Sequence, residues 1–243
     1  MNRRYVICAY RPWNIELFKD KLSKLPYEFY LISNKDELTL ERLKEINPEI
    51  IFFLDWSWIV PKQIHTNYRC VVFHAAPLPK FRGGSPIQNQ IIRGKKKTKL
   101  TAFFMDEGID TGDILLQEDL SLEGHLRDIF KRITEISYRM IVKIINGEYI
   151  VRKQKGKGSY YRRRRPEESE LKMEDFNKPL CFLYNFIRML EDPYPNAYII
   201  IGNKKVVFKE ANFDRADNKL SVVVEITERS SNEENIDCSS SSR

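Results

Sequence analysis

His74 follows the apolar run Cys70-Val71-Val72-Phe73 and precedes a loop rich in proline and glycine, Ala75-Ala76-Pro77-Leu78-Pro79-Lys80-Phe81-Arg82-Gly83-Gly84-Ser85-Pro86. An imidazole at the end of a buried strand can accept or release a proton near neutral pH. A second apolar segment, 98–105, ends in Asp106-Glu107-Gly108-Ile109-Asp110-Thr111-Gly112-Asp113. Asp106 and Glu107 alone would be an acidic, solvated turn. Asp110 lies between Ile109 and a Thr-Gly pair, which can hold its side chain inward. A carboxylate beside an imidazole fixes the ring's tautomer, and the two together suit a proton-transfer site. His65 and His125 lack this context and read as structural residues. In the loop, Gly83-Gly84 allows backbone to approach a ligand closely. Ser85 at N-cap and Pro86 at N1 predict a helix start whose free amides favour an anion or a developing oxyanion.

These groups need a scaffold. Strands are predicted at 5–10, 28–33, 49–54, 70–73 and 98–105, and helices at 14–25, 40–46 (stopped before Pro48) and 128–145. Strands alternating with helices predict an α/β fold: a Rossmann-like, mainly parallel sheet with helices on both faces. Ligands of such sheets bind outside the C-terminal strand ends, which selects the residues after Leu54, Phe73 and Met105. Tyr10-Arg11-Pro12-Trp13 stands where a dinucleotide fold carries its glycine fingerprint, which disfavours a dinucleotide bound in the usual way.

The domain organisation expected is a catalytic domain over 1–152, a basic connector over 153–166, a small α+β segment over 167–227 and a disordered tail over 228–243. The C-terminal segment predicts a helix at 180–190 and strands at 197–201, 204–209 and 220–226, with Gly202-Asn203 as a hairpin turn. No apolar run approaches the roughly 20 residues that span a bilayer. The N-terminus lacks a signal-peptide pattern, so a cytoplasmic protein without membrane association is expected. Cys8, Cys70, Cys181 and Cys238 form no CxxC pair and the chain has 3 histidines, which disfavours a zinc site. Cys8 and Cys70 read as buried free thiols. A net charge of +7 suggests an anionic partner without choosing one.

The loop from His74 to Pro86, followed by Asp106-x-Gly108-Ile109-Asp110-Thr111-Gly112-Asp113, resembles the signature of the folate-dependent formyltransferases. The interval between His74 and Asp110 (110 − 74 = 36 residues) fits that family too. The resemblance is strong over 70–124 and holds in outline over 5–61. It implies that an acceptor amine attacks the formyl carbon of N10-formyltetrahydrofolate, with no metal. His74 would orient the reactants and stabilise the tetrahedral oxyanion or shuttle a proton. Asp110 would hold His74 and help to move the proton off the amine. By the same resemblance the pterin of the folate lies near Trp56, Ser57, Trp58, Ile59 and Val60, and near Asp106, Gly108 and Ile109. Acceptor contacts come from Arg82, Gly83, Gly84 and Ser85. One departure stands out: Val72 replaces the asparagine that the family places two residues before its histidine. Loss of one such oxyanion donor typically costs about 100- to 1,000-fold in rate. Asn89, one turn into the predicted helix, is the candidate replacement.

Three acceptors separate within this family. Methionyl-tRNA formyltransferases carry a large basic C-terminal domain, for which 167–227 reads as too short. The run Arg162–Arg165 lacks interleaved aromatics beyond Tyr160-Tyr161, so nucleic acid is disfavoured as a partner. Glycinamide ribonucleotide formyltransferases stop soon after the core. Tyr10-Arg11-x-Trp13, Trp56-Ser57-Trp58, the stretch Tyr160 to Pro166, Ile187-Arg188 and Pro193-Tyr194-Pro195-Asn196-Ala197 resemble the sugar N-formyltransferases, with Asn196 in place of a left-handed glycine. That resemblance implies a dTDP- or UDP-linked amino-dideoxy sugar as acceptor, a place in O-antigen or other surface-glycan biosynthesis, and a homodimer. A methionyl-tRNA formyltransferase-like enzyme, a non-catalytic folate- or nucleotide-binding paralogue and a formate-releasing hydrolase remain the alternatives.

Overall fold

The apolar runs form the centre of the structure, a computed structural model that describes residues 3–228. Apart from Glu228, the tail predicted to be disordered lies outside the described residues. In chain order the elements are β1 (Arg4–Cys8), α1 (Pro12–Asp20), β2 (Glu28–Ile32), α2 (Leu40–Ile46), β3 (Ile50–Leu54), α3 (Lys62–Asn67), β4 (Cys70–His74), β5 (Arg82–Gly83), α4 (Pro86–Ile91), β6 (Lys97–Phe104), β7 (Ile114–Ser121), α5 (Leu126–Ile145) and β8 (Tyr160–Tyr161). The main sheet has the order β2-β1-β3-β4-β6-β7. Its first four strands are parallel, while β6 pairs antiparallel with β4 and β7 antiparallel with β6. The segment carrying Asp106 to Asp113 is therefore the connection of an antiparallel hairpin, and the register sets His74 opposite Thr101.

Strand alternation sorts the side chains to two faces. On one, Val6, Cys8, Ile32, Ile51, Phe53 and Cys70 pack with Leu43 and Ile46 of α2 and Ile64 of α3. Burial pushes the Cys8 thiol well up and the Cys70 thiol up to about 12, so both stay protonated and inert. On the other face, Leu54, Phe73 and Leu100 meet Asn14 of α1 and Ile133 and Ser137 of α5 around a small cavity. Trp13 stacks on Phe130 at 4.3 Å between ring centroids, which ties α1 to α5. The buried positions of α5, including Leu126, Ile129, Phe130, Ile133, Ile136, Met140, Ile141 and Ile144, recur every three or four residues, as an amphipathic helix requires. Thr39 accepts a hydrogen bond from the Arg42 amide at 3.2 Å to start α2, and Asn47 at φ 49° ends it before Pro48.

The chain divides into two compact units, Met1–Arg163 and Arg164–Arg243. The second holds α6 (Leu180–Arg188), β9 (Tyr198–Ile201), β10 (Lys204–Asp214) and β11 (Lys219–Glu228). Its antiparallel sheet has the order β11-β10-β9, with Gly202 at φ 58° in the turn between β9 and β10. Leu183, Phe186 and Ile187 of α6 and Phe208 and Ala211 of β10 are buried. Asn196 has no left-handed backbone. Its amide donates to the Leu190 carbonyl at 2.8 Å and its oxygen accepts from Lys209 Nζ at 2.6 Å, a side-chain role that a glycine could not fill.

Candidate active site

β4 delivers His74 to the C-terminal edge of its parallel strands, and the imidazole is buried at 7 % exposure. His74 Nε2 lies 2.8 Å from the Phe81 carbonyl oxygen. A carbonyl only accepts, so Nε2 carries the proton, and a neutral ring presents Nδ1 as a lone pair. That nitrogen faces Asp110 Oδ2 at 3.6 Å. The separation suits an ion pair and is too long for a hydrogen bond. Ring orientation is therefore fixed by Phe81, and Asp110 supplies a negative charge on the side where a proton would arrive.

Asp110 is aimed from both ends. Its backbone is left-handed at φ 55°, a conformation that aspartate tolerates better than most residues. Its Oδ2 accepts from the Gly83 amide at 2.8 Å, which joins the hairpin connection to the His74 loop. Ile109 points outward at 60 % exposure, so the inward position of Asp110 rests on these bonds and owes nothing to an apolar flank. Asp106 shapes the same turn: its Oδ1 accepts from the Gly108 amide at 3.1 Å and from Thr111 Oγ1 at 2.7 Å.

The tandem glycines admit protein rather than open space. A Cβ on Gly83, at φ +91°, would lie 2.3 Å from the Tyr161 carbonyl oxygen, and one on Gly84 would lie 2.4 Å from Arg163 Cα. The partner is β8, in the segment expected to be a mere connector, which pairs in parallel with β5. The Arg82 amide donates to the Ser159 carbonyl, the Gly84 amide to the Tyr161 carbonyl and the Phe81 amide to Ser159 Oγ, at 2.9, 2.8 and 2.9 Å. Tyr161 stacks on Phe81 at 5.0 Å between centroids, with the Arg93 guanidinium 4.4 Å over its ring. Ser159 and Tyr161 thus brace the loop that holds His74, a role that sequence reasoning missed for both. Two-residue pairing between distant segments leaves no periodic signal.

Other expected residues take specific places. Ser85 adopts φ 49° and makes no side-chain cap on α4. Arg82 turns its guanidinium to Gln154 Oε1, at 2.7 Å from Nη2. Asn89 is buried; its amide donates to the Gly84 carbonyl at 3.0 Å and its oxygen accepts from Arg93 at 3.2 Å, so this amide is committed to the loop. Val72 packs among Leu78, Phe103 and Ile114. The 56–60 loop lies outside the sheet ladder, with Trp56 and Trp58 in a T-shaped pair at 4.8 Å and Ser57 bonded to the Tyr10 hydroxyl at 2.7 Å. Val60 is buried and Ile59 is exposed. A Lys62–Glu107 ion pair at 2.5 Å ties this loop's end to the acidic turn. Among the described residues, no group of three or more His, Cys, Asp or Glu is placed to hold a metal ion, and no helix is long and apolar enough to cross a membrane.

A buried His–Asp pair thus lies beside a Rossmann-like sheet that is extended by an antiparallel hairpin. Residues 18–145 match the family described as formyl transferase, and residues 166–227 match the C-terminal domain of methionyl-tRNA formyltransferase. The chain belongs to the formyl transferase family. Methionyl-tRNA formyltransferase from Caldanaerobacter subterraneus subsp. tengcongensis is 35 % identical over 182 residues, 71 % of this chain and 57 % of that protein. The chain thus spans less than two thirds of the curated relative's length. The solved methionyl-tRNA formyltransferase from Clostridium thermocellum superposes with a TM-score of 0.85 at 42 % identity, covering 93 % of this chain and 99 % of that one.

These relatives correct the acceptor expected from the sequence. A 4-N formyltransferase from Francisella tularensis shares the fold (TM-score 0.64, 91 % of this chain and 96 % of that one) at 16 % identity, a distant likeness. The nucleotide-linked amino sugar, with the surface-glycan role and homodimer drawn from the same resemblance, rested on short motifs, the low expectation of nucleic acid on the sparse aromatics around Arg162–Arg165, and the setting aside of the tRNA enzymes on reading 167–227 as too short for their C-terminal domain. Residues 166–227 match that domain.

Proposed function

We propose that this chain transfers a formyl group from N10-formyltetrahydrofolate to the amine of methionine esterified to tRNA. The observation that carries the reading is the match of 166–227 to the C-terminal domain of methionyl-tRNA formyltransferases, beside a solved enzyme of that name matched over nearly both whole chains. The net charge of +7 and the exposed Lys153, Lys155, Lys157, Arg162 and Arg163 suit a polyanionic acceptor.

The folate, when bound, supplies the formyl carbon on its N10. The loop Trp56, Ser57, Trp58, Ile59 and Val60 and the turn holding Asp106, Gly108 and Ile109 fit its ring: the Lys62–Glu107 pair ties the two segments together, both lie outside the ladder, and Ile59 and Ile109 offer exposed apolar side chains. His74 Nδ1 takes the proton that leaves the attacking amine, and the Asp110 carboxylate stabilises the imidazolium so formed. As the new C–N bond forms and the bond to N10 breaks, that proton passes to N10. Arg82, Gly83, Gly84 and Ser85 line the acceptor side. Val72 carries no donor, and Asn89 acts on the reaction through the Gly84 carbonyl it holds.

The test is single-turnover formylation of methionyl-tRNA by the wild type and by His74→Ala and Asp110→Asn. Each variant is expected to lose on the order of 100- to 10,000-fold in rate. Unchanged turnover in His74→Ala overturns the site, and a wild type that formylates another amine but not methionyl-tRNA overturns the acceptor.

A further inference from the structure

We propose that Gln154 is a positioning residue for the His74–Asp110 pair, an inference that rests on reading that pair as the reaction centre. A glutamine amide has two donor hydrogens and two acceptor lone pairs. At Gln154 all four are used. Nε2 donates to the Asp110 carbonyl at 2.9 Å and to the Gly112 carbonyl at 2.8 Å. Oε1 accepts from Arg82 Nη2 at 2.7 Å and from Arg82 Nε at 3.2 Å. One half-buried side chain therefore joins the connector, the hairpin turn that carries Asp110, and the loop that carries the acceptor-side residues.

The position of Gln154 is itself fixed two residues upstream. Arg152 exchanges backbone hydrogen bonds with Ile114 at 2.8 and 2.9 Å, which anchors the connector on the first residue of β7. From there the amide reaches back to Asp110. The left-handed backbone of a non-glycine residue persists only where its surroundings over-determine it, and Gln154 bonds the carbonyl of that very residue. It also holds Arg82, whose neighbour Gly83 gives the amide hydrogen that aims the Asp110 carboxylate. Without Gln154, the backbone of Asp110 and the donor to its side chain lose restraint together. A shift of about 1 Å in a reacting group can cost on the order of 100-fold in rate.

The chemistry of the amide makes the role separable from simple bracing. Gln154→Glu keeps the acceptor for Arg82 and sets a carboxylate oxygen against two carbonyl oxygens. Protonation of that carboxyl at lower pH restores one donor. Gln154→Met keeps the length and removes every polar bond.

The experiment measures kcat and KM for formyl donor and methionyl-tRNA across pH 5.5–8.5 in the wild type, Gln154→Met, Gln154→Glu and Asp110→Asn, with thermal unfolding of each. Nitrogen-15 spectra of the His74 ring are recorded in the same proteins. The expected result is a fall in kcat of on the order of 100-fold in Gln154→Met with KM within about threefold. Gln154→Glu should regain part of its rate relative to wild type as pH falls, and the His74 ring signals should shift in both variants. Wild-type kcat in both Gln154 variants, beside a lost rate in Asp110→Asn, overturns the positioning role alone. Wild-type kcat in Asp110→Asn overturns the reading of the pair itself. If the wild type does not formylate methionyl-tRNA, the ring spectra decide: unchanged His74 signals in Gln154→Met overturn the proposal. A rate loss matched by unfolding at the assay temperature in both variants, with no pH-dependent recovery in Gln154→Glu, overturns it in favour of bracing.

Discussion

β3 and β11 are written in almost the same alphabet and meet opposite fates. β3, Ile50-Ile51-Phe52-Phe53-Leu54, is buried at every residue between β1 and β4. β11 carries Leu220, Val222, Val223, Val224 and Ile226, and all but Leu220 of these are exposed, Val223 at 58 % and Ile226 at 63 %. Both are β-branched or aromatic runs that favour extended chain. The difference is cover: both faces of β3 lie under helices of the first unit, whereas β11 is an edge strand whose side chains are left largely exposed. β-Propensity makes the strand, and its neighbours decide whether it is core.

The comparison breaks most readily at Phe53, which is 1 % exposed. Phe53→Ala should destabilise the first unit by about 3–5 kcal/mol in chemical denaturation. A cost below about 1 kcal/mol would mean that burial in β3 is not what holds the sheet. β7 offers an intermediate case, an edge strand attended by a helix. Burial would push the Glu118 carboxyl up, but hydrogen bonds from Lys143 and Arg139 of α5 override it and hold the group below its ordinary value. A carboxyl depressed in the folded state adds stability above its unfolded value and loses it as pH falls through the folded one. Lys143→Met should therefore cost about 1 kcal/mol or less near pH 7, a gap that closes below about pH 4. A gap that stays constant with pH would assign the loss to packing of the lysine stem. The smallest effect belongs to Val223→Thr in β11, within about 0.5 kcal/mol of wild type. A loss above 2 kcal/mol in the same assay would show that this edge is covered in solution.

The same contrast explains what could be read from the sequence. β3, β4 and α2 were legible to within a residue, because uninterrupted apolar runs and a helix stop before Pro48 act locally. β7 escaped notice, since Gln117-Glu118-Asp119 interrupts its apolar pattern and its stability comes from pairing with β6 and ion pairs to α5. α3, Lys62–Asn67, buries only Ile64 and has too little periodicity to detect. At the candidate site, the place of His74 at a strand end was legible, whereas Asp110 lies within the connection after β6, which runs antiparallel to β4, so the rule of C-terminal strand ends does not reach it. Their true supports were not legible: Phe81 holds the imidazole through a carbonyl, and β8 approaches Gly83 and Gly84 from 77 residues away (160 − 83 = 77). The glycines signalled a close approach correctly, but the approaching group is the chain itself. Backbone acceptors have no letter in the sequence, and long-range pairing has no period.

The bracing strand β8 has a temporal consequence. A ribosome emits the chain from its N-terminus, so β4, the loop with Phe81, and the Asp110 hairpin emerge well before Gln154, Ser159 and Tyr161. The sheet has all six strands once Ser121 is out, yet the His74 loop lacks its partner strand for the next several tens of residues. At synthesis rates of roughly 5–20 residues per second, this interval lasts seconds. Early in that interval α5, which covers one face of the sheet, has also still to emerge, so the strands, their covering helix and the brace of the His74 loop are made in that order.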